Sequence, residues 1–434
     1  VTKSDKSSKT AAVTTVALLG HLGHTAWMTD QAETPEPADG MRLDLSALTD
    51  PEAVRGAAKE QDDLGWEAFR SKHQLPTPGR FYVQVDGRLY PAAAIAGVAF
   101  GRQYPQHGNL SHEQFSGGEA GANAALRRLG FDVFSGRPDD VKGELAWRFA
   151  VWQHICRVAE NGCVKPALLR AFGAYGGGQG IWVDSDRTKS ISPGGVAVGV
   201  LHTGVHYPDD LSEHGVMYHY PSTKRLPGRD ASEVAAMKTA ANLRLPIFVI
   251  SKPAPKSDVR NVNLGWVTGW DEESKVFLVQ FGEVAPDKIE TEDRSDDEPF
   301  QAMGNRSRRA KRDVRTRPDQ SKFKLRVLQR YGRRCPLSGV TVLEMLEAVH
   351  FIPDSKGGSA DPRNGLLMNA ALHRAFDAGL FVINPDTLKV ETRPGGHTLD
   401  DLGIRFPSLT ALPRKPHREA LAWRYEWWKK KIQN

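Results

Sequence analysis

Two histidines, an asparagine and an aspartate near the C-terminus are the side chains best suited to chemistry in this chain. The segment reads Leu346-Glu-Ala-Val-His350-Phe-Ile-Pro-Asp-Ser-Lys-Gly-Gly358, then Asp361-Pro-Arg-Asn364-Gly-Leu-Leu-Met, then Ala371-Leu-His373-Arg-Ala-Phe-Asp377. The pattern predicts an apolar strand ending in His350, a Gly-rich turn leading to Asn364, and a helix that carries His373. Asp377 lies four residues beyond His373, on the same helical face. Hydrolysing a phosphodiester needs a base to activate water and a cation to neutralise charge on the phosphate and the leaving oxygen. A strand-borne histidine and a helix-borne His/Asp pair can supply both. Taken singly, each residue has a plainer explanation: a structural strand histidine, an Asn-Gly turn, a surface pair on a helix. Their order and spacing together point to a one-metal hydrolytic site.

From Tyr331-Gly-Arg-Arg-Cys-Pro-Leu-Ser-Gly to Phe381 the chain resembles the HNH endonucleases, which are built on a ββα-metal finger. The resemblance implies His350 as general base, Asn364 as the middle residue whose amide ties the turn to the strand and orients His350, and His373 as a metal ligand. It leaves Asp377 as a candidate second ligand. One position departs from the family: where many members carry a metal-binding Asp or His just before the base, this chain has Val349. Glu347 is nearby, but strand alternation puts it on the face of Val349, opposite Ala348 and His350. The implied cofactor is a divalent cation, Mg2+ or Mn2+, with Ni2+, Co2+ or Zn2+ also tolerated by a histidine ligand.

Composition bounds the alternatives. A chain of 434 residues has room for two or three domains, each with its own core. The net charge of +6 is unevenly distributed. Gly304–Arg334 holds 13 Lys/Arg against two Asp, whereas Val284–Phe300 holds seven acids against two bases. A basic run suits a polyphosphate partner, and it equally suits a solvated linker. The three cysteines, Cys156, Cys163 and Cys335, are too few for a four-Cys zinc knuckle and argue against a disulfide scaffold, which favours a reducing, cytoplasmic setting; a bacterial one is implied only by the family resemblance. No run of 18 apolar residues exists to span a membrane. Residues 1–40 read as a disordered extension or as the product of a start assigned too far upstream, with Met28 or Met41 as alternatives.

Three blocks follow. In residues 41–135, Asp50 or Thr49 caps a helix with Pro51 in its first turn, and helical periodicity continues through Trp66 and Phe69. Phe81–Val85 alternates like a strand, Asp86-Gly87 makes a hairpin turn, and Ala92–Phe100 reads as a helix of small residues. Ser116-Gly-Gly-Glu is expected to cap another helix, which ends near Gly130. The patterns DGRLYPAAAIAGVAFG and FSGGEAGANAALRRLGF resemble the N-terminal head module of McrA-like restriction proteins.

Residues 142–283 begin helically and turn β-like from Val196. The Gly-rich stretch from Phe172 to Ile181 lacks the Gly-Lys-Ser/Thr of a P-loop and reads as a loop. Tyr207-Pro-Asp-Asp210, His214-Gly215, a strand ending at Tyr220, and Arg260-Asn-Val-Asn resemble an SRA domain, which extrudes a modified cytosine from duplex DNA. The resemblance implies that Tyr207 and Tyr220 sandwich the base and that Asp210 accepts from its N4 amine, as a carboxylate can. Lys224, Arg225 and Arg229 would touch phosphate or fill the gap left by the base; a surface charge run is the other reading. A charged linker over 284–320 leads to a C-terminal domain, 321–434, whose last helix carries Trp423, Trp427 and Trp428 as packing anchors.

The expected fold class is therefore α+β multidomain: a small α+β head, an SRA-like twisted β-barrel with flanking helices, and a ββα-metal HNH nuclease. The resemblances imply a McrA-like modification-dependent restriction endonuclease acting on double-stranded DNA that carries modified cytosine. A homodimer is one way for single-site chains to cut both strands. Two alternatives stay open: a non-cleaving binder of modified DNA with a degenerate finger, and a nuclease with no modification preference.

Overall fold

A computed structural model describes residues 45–111, 113–178, 180–203, 211–223, 228–304 and 318–433. In the N-terminal unit, α1 (Pro51–Leu64) starts where the Asp50 carboxylate accepts from the Glu52 N–H and Pro51 occupies the first turn. Gly65, at φ +76°, breaks the helix before α2 (Trp66–Lys72). Strands β1 (Phe81–Val85) and β2 (Arg88–Pro91) form a hairpin whose turn residues, Asp86 and Gly87, both take positive φ. α3 (Ala92–Gln103) buries its alanines against α1. α4 (Ala122–Arg128) leads to β3 (Val133–Ser135), which pairs the free edge of β1. The expected helix cap at Ser116–Glu119 is instead a set of turns: Gly117, Gly118 and Gly121 favour turning, and the Ser116 carbonyl accepts from the Ala122 N–H.

The middle unit comprises α5 (Val141–Val158), β4 (Cys163–Val164), α6 (Pro166–Ala171), β5 (Ile181–Val183), α7 (Ser185–Thr188), β6 (Ala197–His202), β7 (Leu211–Ser212), β8 (Gly215–His219), α8 (Arg229–Asn242), β9 (Ile247–Ser251), β10 (Arg260–Asp271) and β11 (Val276–Phe281). Its sheet runs β5-β6-β9-β10-β11-β8-β7, with β4 paired to one end of β10. All described pairings are antiparallel except β6 with β9. The sheet, expected as a twisted β-barrel, is a curled half-barrel. The strand path ends at β5 and β7 without joining them among the described residues. Both faces are covered, so the central strands are continuously apolar. Val200, Ile247, Val249 and Val267 meet α8, while Val198, Phe248, Ile250 and Leu264 meet α5. Arg148 of α5 is fully buried and pins this helix to the sheet, bonding Glu144 at 2.7 Å and the carbonyls of Ala197 and Pro246 at 2.9 and 2.6 Å.

The C-terminal unit holds α9 (Pro318–Tyr331), β12 (Leu346–His350), β13 (Gly365–Asn369), α10 (Ala370–Ala378), β14 (Phe381–Ile383), β15 (Val390–Thr392) and α11 (Arg418–Gln433). β12 and β13 pair antiparallel, and α10 packs across both. The core of this unit is continuous with the middle sheet: Met217, Val276 and Leu278 belong to the same cluster as Phe323, Leu325, Val349 and Leu366. Residues 284–304, expected as part of a charged linker, pack as a strap between the units. Glu290 bridges to Gly269, Asp293 pairs with Arg330 and Arg414 at 2.9 and 2.7 Å, and Met303 bridges to Gly358. Asp293 is buried between Arg330 and Arg414, and Glu290 pairs with Lys322 and Arg326, which is why a stretch so charged can pack. Residues 305–317 and 1–44 lie outside the described residues.

Candidate active site

His350 closes β12 and sits opposite Gly365 in the register. That glycine matters for steric reasons: a Cβ there would fall 2.3 Å from Phe323 Cζ and 2.8 Å from the Val349 carbonyl oxygen. The room left free is filled by the Phe323 ring of α9, which stacks on the imidazole with centroids 3.7 Å apart and planes 12° apart. Burial under this ring pushes the His350 pKa down to about 4, against the opposing pull of Asp354 and Asp377. At neutral pH the imidazole is therefore uncharged, the state a proton acceptor needs.

The chain beyond His350 is held by Asn364, which is wholly buried. Its side-chain oxygen accepts from the Ile352 N–H at 3.0 Å, and its amide donates to the Ile352 and Ser359 carbonyls at 3.1 and 2.9 Å. Both ends of the Gly-rich loop are thus tied by one side chain. Gly357 takes φ +85°, and a Cβ on Gly358 would lie 1.9 Å from the Ile352 carbonyl oxygen, so the loop can close only on glycines. Asn364 ends a 3-10 turn, and Gly365 is extended, at φ −147°, as the first residue of β13.

His373 stands on α10, whose N-terminus is capped by the Asn369 side chain. Its Nε2 lies 3.2 Å from Asp377 Oδ2, and its Nδ1 lies 2.5 Å from Glu347 Oε2. The hydrogen bond to Asp377, with that to Glu347, raises the His373 pKa, and His373 in turn lowers that of Asp377. Arg424 of α11 fixes the other oxygen of Asp377, donating to Oδ1 at 3.1 Å while its guanidinium lies over the rings of Phe376 and Trp427. Glu347, half exposed on β12, reaches His373 because α10 packs across the ribbon.

A divalent cation is what the HNH resemblance implies, and the donors suit one: an imidazole nitrogen and a half-exposed carboxylate at 3.2 Å. They do not form a complete protein cage. Among the described residues no group of three or more His, Cys, Asp or Glu side chains is arranged to hold a metal. Water and phosphate oxygens would have to complete the shell, as is common for Mg2+.

Of the residues expected to read a base, Tyr207, Asp210, Lys224 and Arg225 lie outside the described residues. Tyr220 follows β8, with its ring 4.5 Å from that of Phe277 and the Lys238 ammonium 5.6 Å above it. Arg229 opens α8, half exposed, 3.5 Å from Glu233. Three residues that touch the site were missed by sequence reasoning: Phe323, Glu347 as a partner of His373, and Arg424. Phe323 lies in a helix whose amphipathic pattern marks it as buried but not what it covers. Arg424 gave no signal at all, being 47 residues from its partner.

Residues 335–384 match the HNH endonuclease family, so the C-terminal unit is an HNH endonuclease domain and the chain is an enzyme of the nuclease class. Residues 46–135 match the ScoMcrA-like N-terminal head domain. Among solved structures the chain is similar to a modification-dependent TagI restriction endonuclease, at 18% identity over 62% of this chain and 91% of that one, with a TM-score of 0.25. It is also similar to the Type IV phosphorothioation-dependent restriction endonuclease ScoMcrA, at 13% identity over 88% of this chain and 99% of that one, with a TM-score of 0.23. No curated protein matches the chain. Among the described residues, no helix is long and apolar enough to cross a membrane.

Proposed function

We propose that this chain is a modification-dependent restriction endonuclease that recognises modified cytosine, 5-methyl or 5-hydroxymethyl, in duplex DNA and hydrolyses a nearby phosphodiester. The observation that carries the cutting half is an uncharged His350, followed by a loop that Asn364 clamps, and near enough to His373 and Asp377 to feel their charges. In this reading His350 takes a proton from water, whose oxygen attacks phosphorus in line. The bond to the 3′-oxygen breaks, and that oxygen is protonated from solvent. His373 and Asp377 would hold the divalent cation, Mg2+ or Mn2+ by donor hardness, with Ni2+, Co2+ or Zn2+ compatible with the imidazole; when bound it neutralises charge on the phosphate. Phe323 keeps water away from one face of His350, and Asn364 keeps the imidazole aimed.

The reading half rests on the SRA-like order of motifs. Tyr207 and Tyr220 would stack the extruded base, Asp210 would accept from its N4 amine, and Lys224, Arg225 and Arg229 would hold phosphate. An extruded base gives up stacking worth a few kcal/mol, which aromatic faces and a carboxylate can return. Cleavage of both strands would be achieved by a homodimer or by successive nicks.

The test is a plasmid digest in Mn2+ with matched plain, 5-methylcytosine and 5-hydroxymethylcytosine DNA, for the parent and His350→Ala. A phosphorothioated plasmid makes a fourth arm, given the name of one structural neighbour. Preferential cutting of a modified-cytosine plasmid, lost in His350→Ala, is the expected result. Equal cutting by parent and variant ends the catalytic assignment of His350. Indifference of the parent to cytosine modification ends the reading half.

A further inference from the structure

Position 349, where many HNH enzymes place a metal ligand, is here a valine buried in the core, and the nearest carboxylate on that strand is Glu347. Two roles are open to Glu347 in principle, direct ligand or partner of the ligand, and the distances separate them. Two donor atoms on adjacent corners of an octahedral Mg2+ or Mn2+ site, each about 2.1 Å from the ion, are about 3.0 Å apart. The pair His373 Nε2 and Asp377 Oδ2, hydrogen-bonded to each other at 3.2 Å, is also spaced to accept such an ion between them. His373 Nδ1 and Glu347 Oε2, at 2.5 Å, are too close to be two ligands of one ion and are hydrogen-bonded to each other. Both carboxylates meet the same imidazole, one at each nitrogen, so only one of them can share a cation with it through Nε2.

We infer that Glu347 is a positioning residue: it accepts the Nδ1–H of His373, fixes the ring's tautomer and orientation, and so presents Nε2 beside Asp377 as the cation-binding edge. The inference rests on the metal assignment made above for His373 and Asp377. The arrangement has a counterpart on the other ligand, where Arg424 holds Asp377 Oδ1 at 3.1 Å and leaves Oδ2 facing His373. Each proposed ligand is thus gripped on its outer side by one residue, Glu347 from the strand and Arg424 from the last helix. Outer partners of this kind orient the donor and raise its basicity, and their loss typically weakens metal binding by roughly 10- to 100-fold.

The experiment titrates Mn2+ alone into the full chain and reads free Mn2+ by electron paramagnetic resonance, without DNA and without cleavage. Parent, Glu347→Ala, Glu347→Gln and His373→Ala are compared, each with its melting curve recorded; Glu347 is half exposed, so its variants should melt close to the parent. Expected are roughly 10- to 100-fold weaker binding in Glu347→Ala, near-parental binding in Glu347→Gln, whose amide oxygen still accepts from Nδ1–H, and no binding in His373→Ala. Parental affinity in Glu347→Ala overturns the inference. Equal weakening in Gln and Ala also overturns it, since it would make the carboxylate itself a ligand. Parental affinity in His373→Ala instead removes the metal assignment on which the inference stands.

Discussion

Replacing Asn364 by alanine removes three hydrogen bonds at once, from a position with no solvent access. The Ile352 N–H loses its acceptor, and the Ile352 and Ser359 carbonyls lose a shared donor. A buried polar group left unsatisfied costs about 1–3 kcal/mol. Water can reach part of the Ser359 end once the side chain shrinks, so the total comes to about 3–5 kcal/mol rather than the full sum. The C-terminal unit shares its core with the middle sheet, so the cooperative unit is large and the melting temperature should fall by roughly 10 °C. Catalysis should fail as well, because the loop that begins two residues after His350 is no longer tied. Asn364→Asp is the informative companion. It keeps an acceptor for the Ile352 N–H but turns a carboxylate toward two carbonyl oxygens, so it should be at least as damaging as alanine. Thermal and urea unfolding followed by circular dichroism, beside a plasmid cleavage assay, measure both effects. If Asn364→Ala unfolds within about 1 kcal/mol of the parent, the clamp argument is refuted, whatever happens to activity.

Other outcomes follow from the same geometry. Phe323→Leu should lower the cleavage rate with little change in DNA affinity, since it uncovers His350 without touching the proposed phosphate contacts; an unchanged rate would show that the stacked ring positions nothing. Gly358→Ala should be poorly folded or inactive, because its Cβ would overlap the Ile352 carbonyl oxygen at 1.9 Å. Stability without metal should decline as pH falls from about 6.5 toward 4. His350 and His154 are both held near pKa 4 by burial, so the unfolded chain binds more protons than the folded one across that window. Each accounts for up to about 3 kcal/mol, and the His154 share should vanish in His154→Gln, measured by urea unfolding at pH 7 and pH 5. Arg148→Met should destabilise the middle unit by about 3–5 kcal/mol, leaving buried Glu144 paired only with Arg187 and stripping two carbonyls of their donor; a parental unfolding midpoint would contradict this.

The strand–strand–helix order of β12, β13 and α10 was legible because its signals are local in sequence. An apolar strand, two glycines, a buried amide and a helix follow one another within one supersecondary unit, and the spacing alone puts His350 and His373 on neighbouring elements. The Asp86-Gly87 hairpin and the Pro51 helix start were legible for the same reason: the residue that makes the turn or cap is the residue that shows it. What escaped was set by distant contacts. The contact of Glu347 with His373 was not legible because it depends on where α10 packs across the β12–β13 ribbon. The acidic run at 284–300 looked like a linker because its partners, Arg330 and Arg414, are far along the chain and carry no local mark. Ser116 looked like a cap because Ser followed three residues later by Glu is the usual signature, but three glycines in the next five residues cost a helix more than one cap returns.

The deepest feature hidden from sequence is the role of α9. One face of this helix lies on the middle sheet: Leu325 packs over Gly269 of β10, where a Cβ would come within 2.8 Å of it. Gln329 donates to the carbonyls of Trp270 and Glu290 at 3.0 Å each. Phe323, two residues before Leu325 and so on a different face, lies flat on His350. A single rigid helix therefore touches the curled sheet and the imidazole together. Domains joined only by a tether move independently, and an interface that is continuous core does not. Gly269 is what permits this: it sits at the irregularity in the β10–β11 ladder, and both Leu325 and the Glu290 carbonyl occupy the space its side chain would take. A displacement of the sheet that carried α9 with it would carry the ring that covers His350.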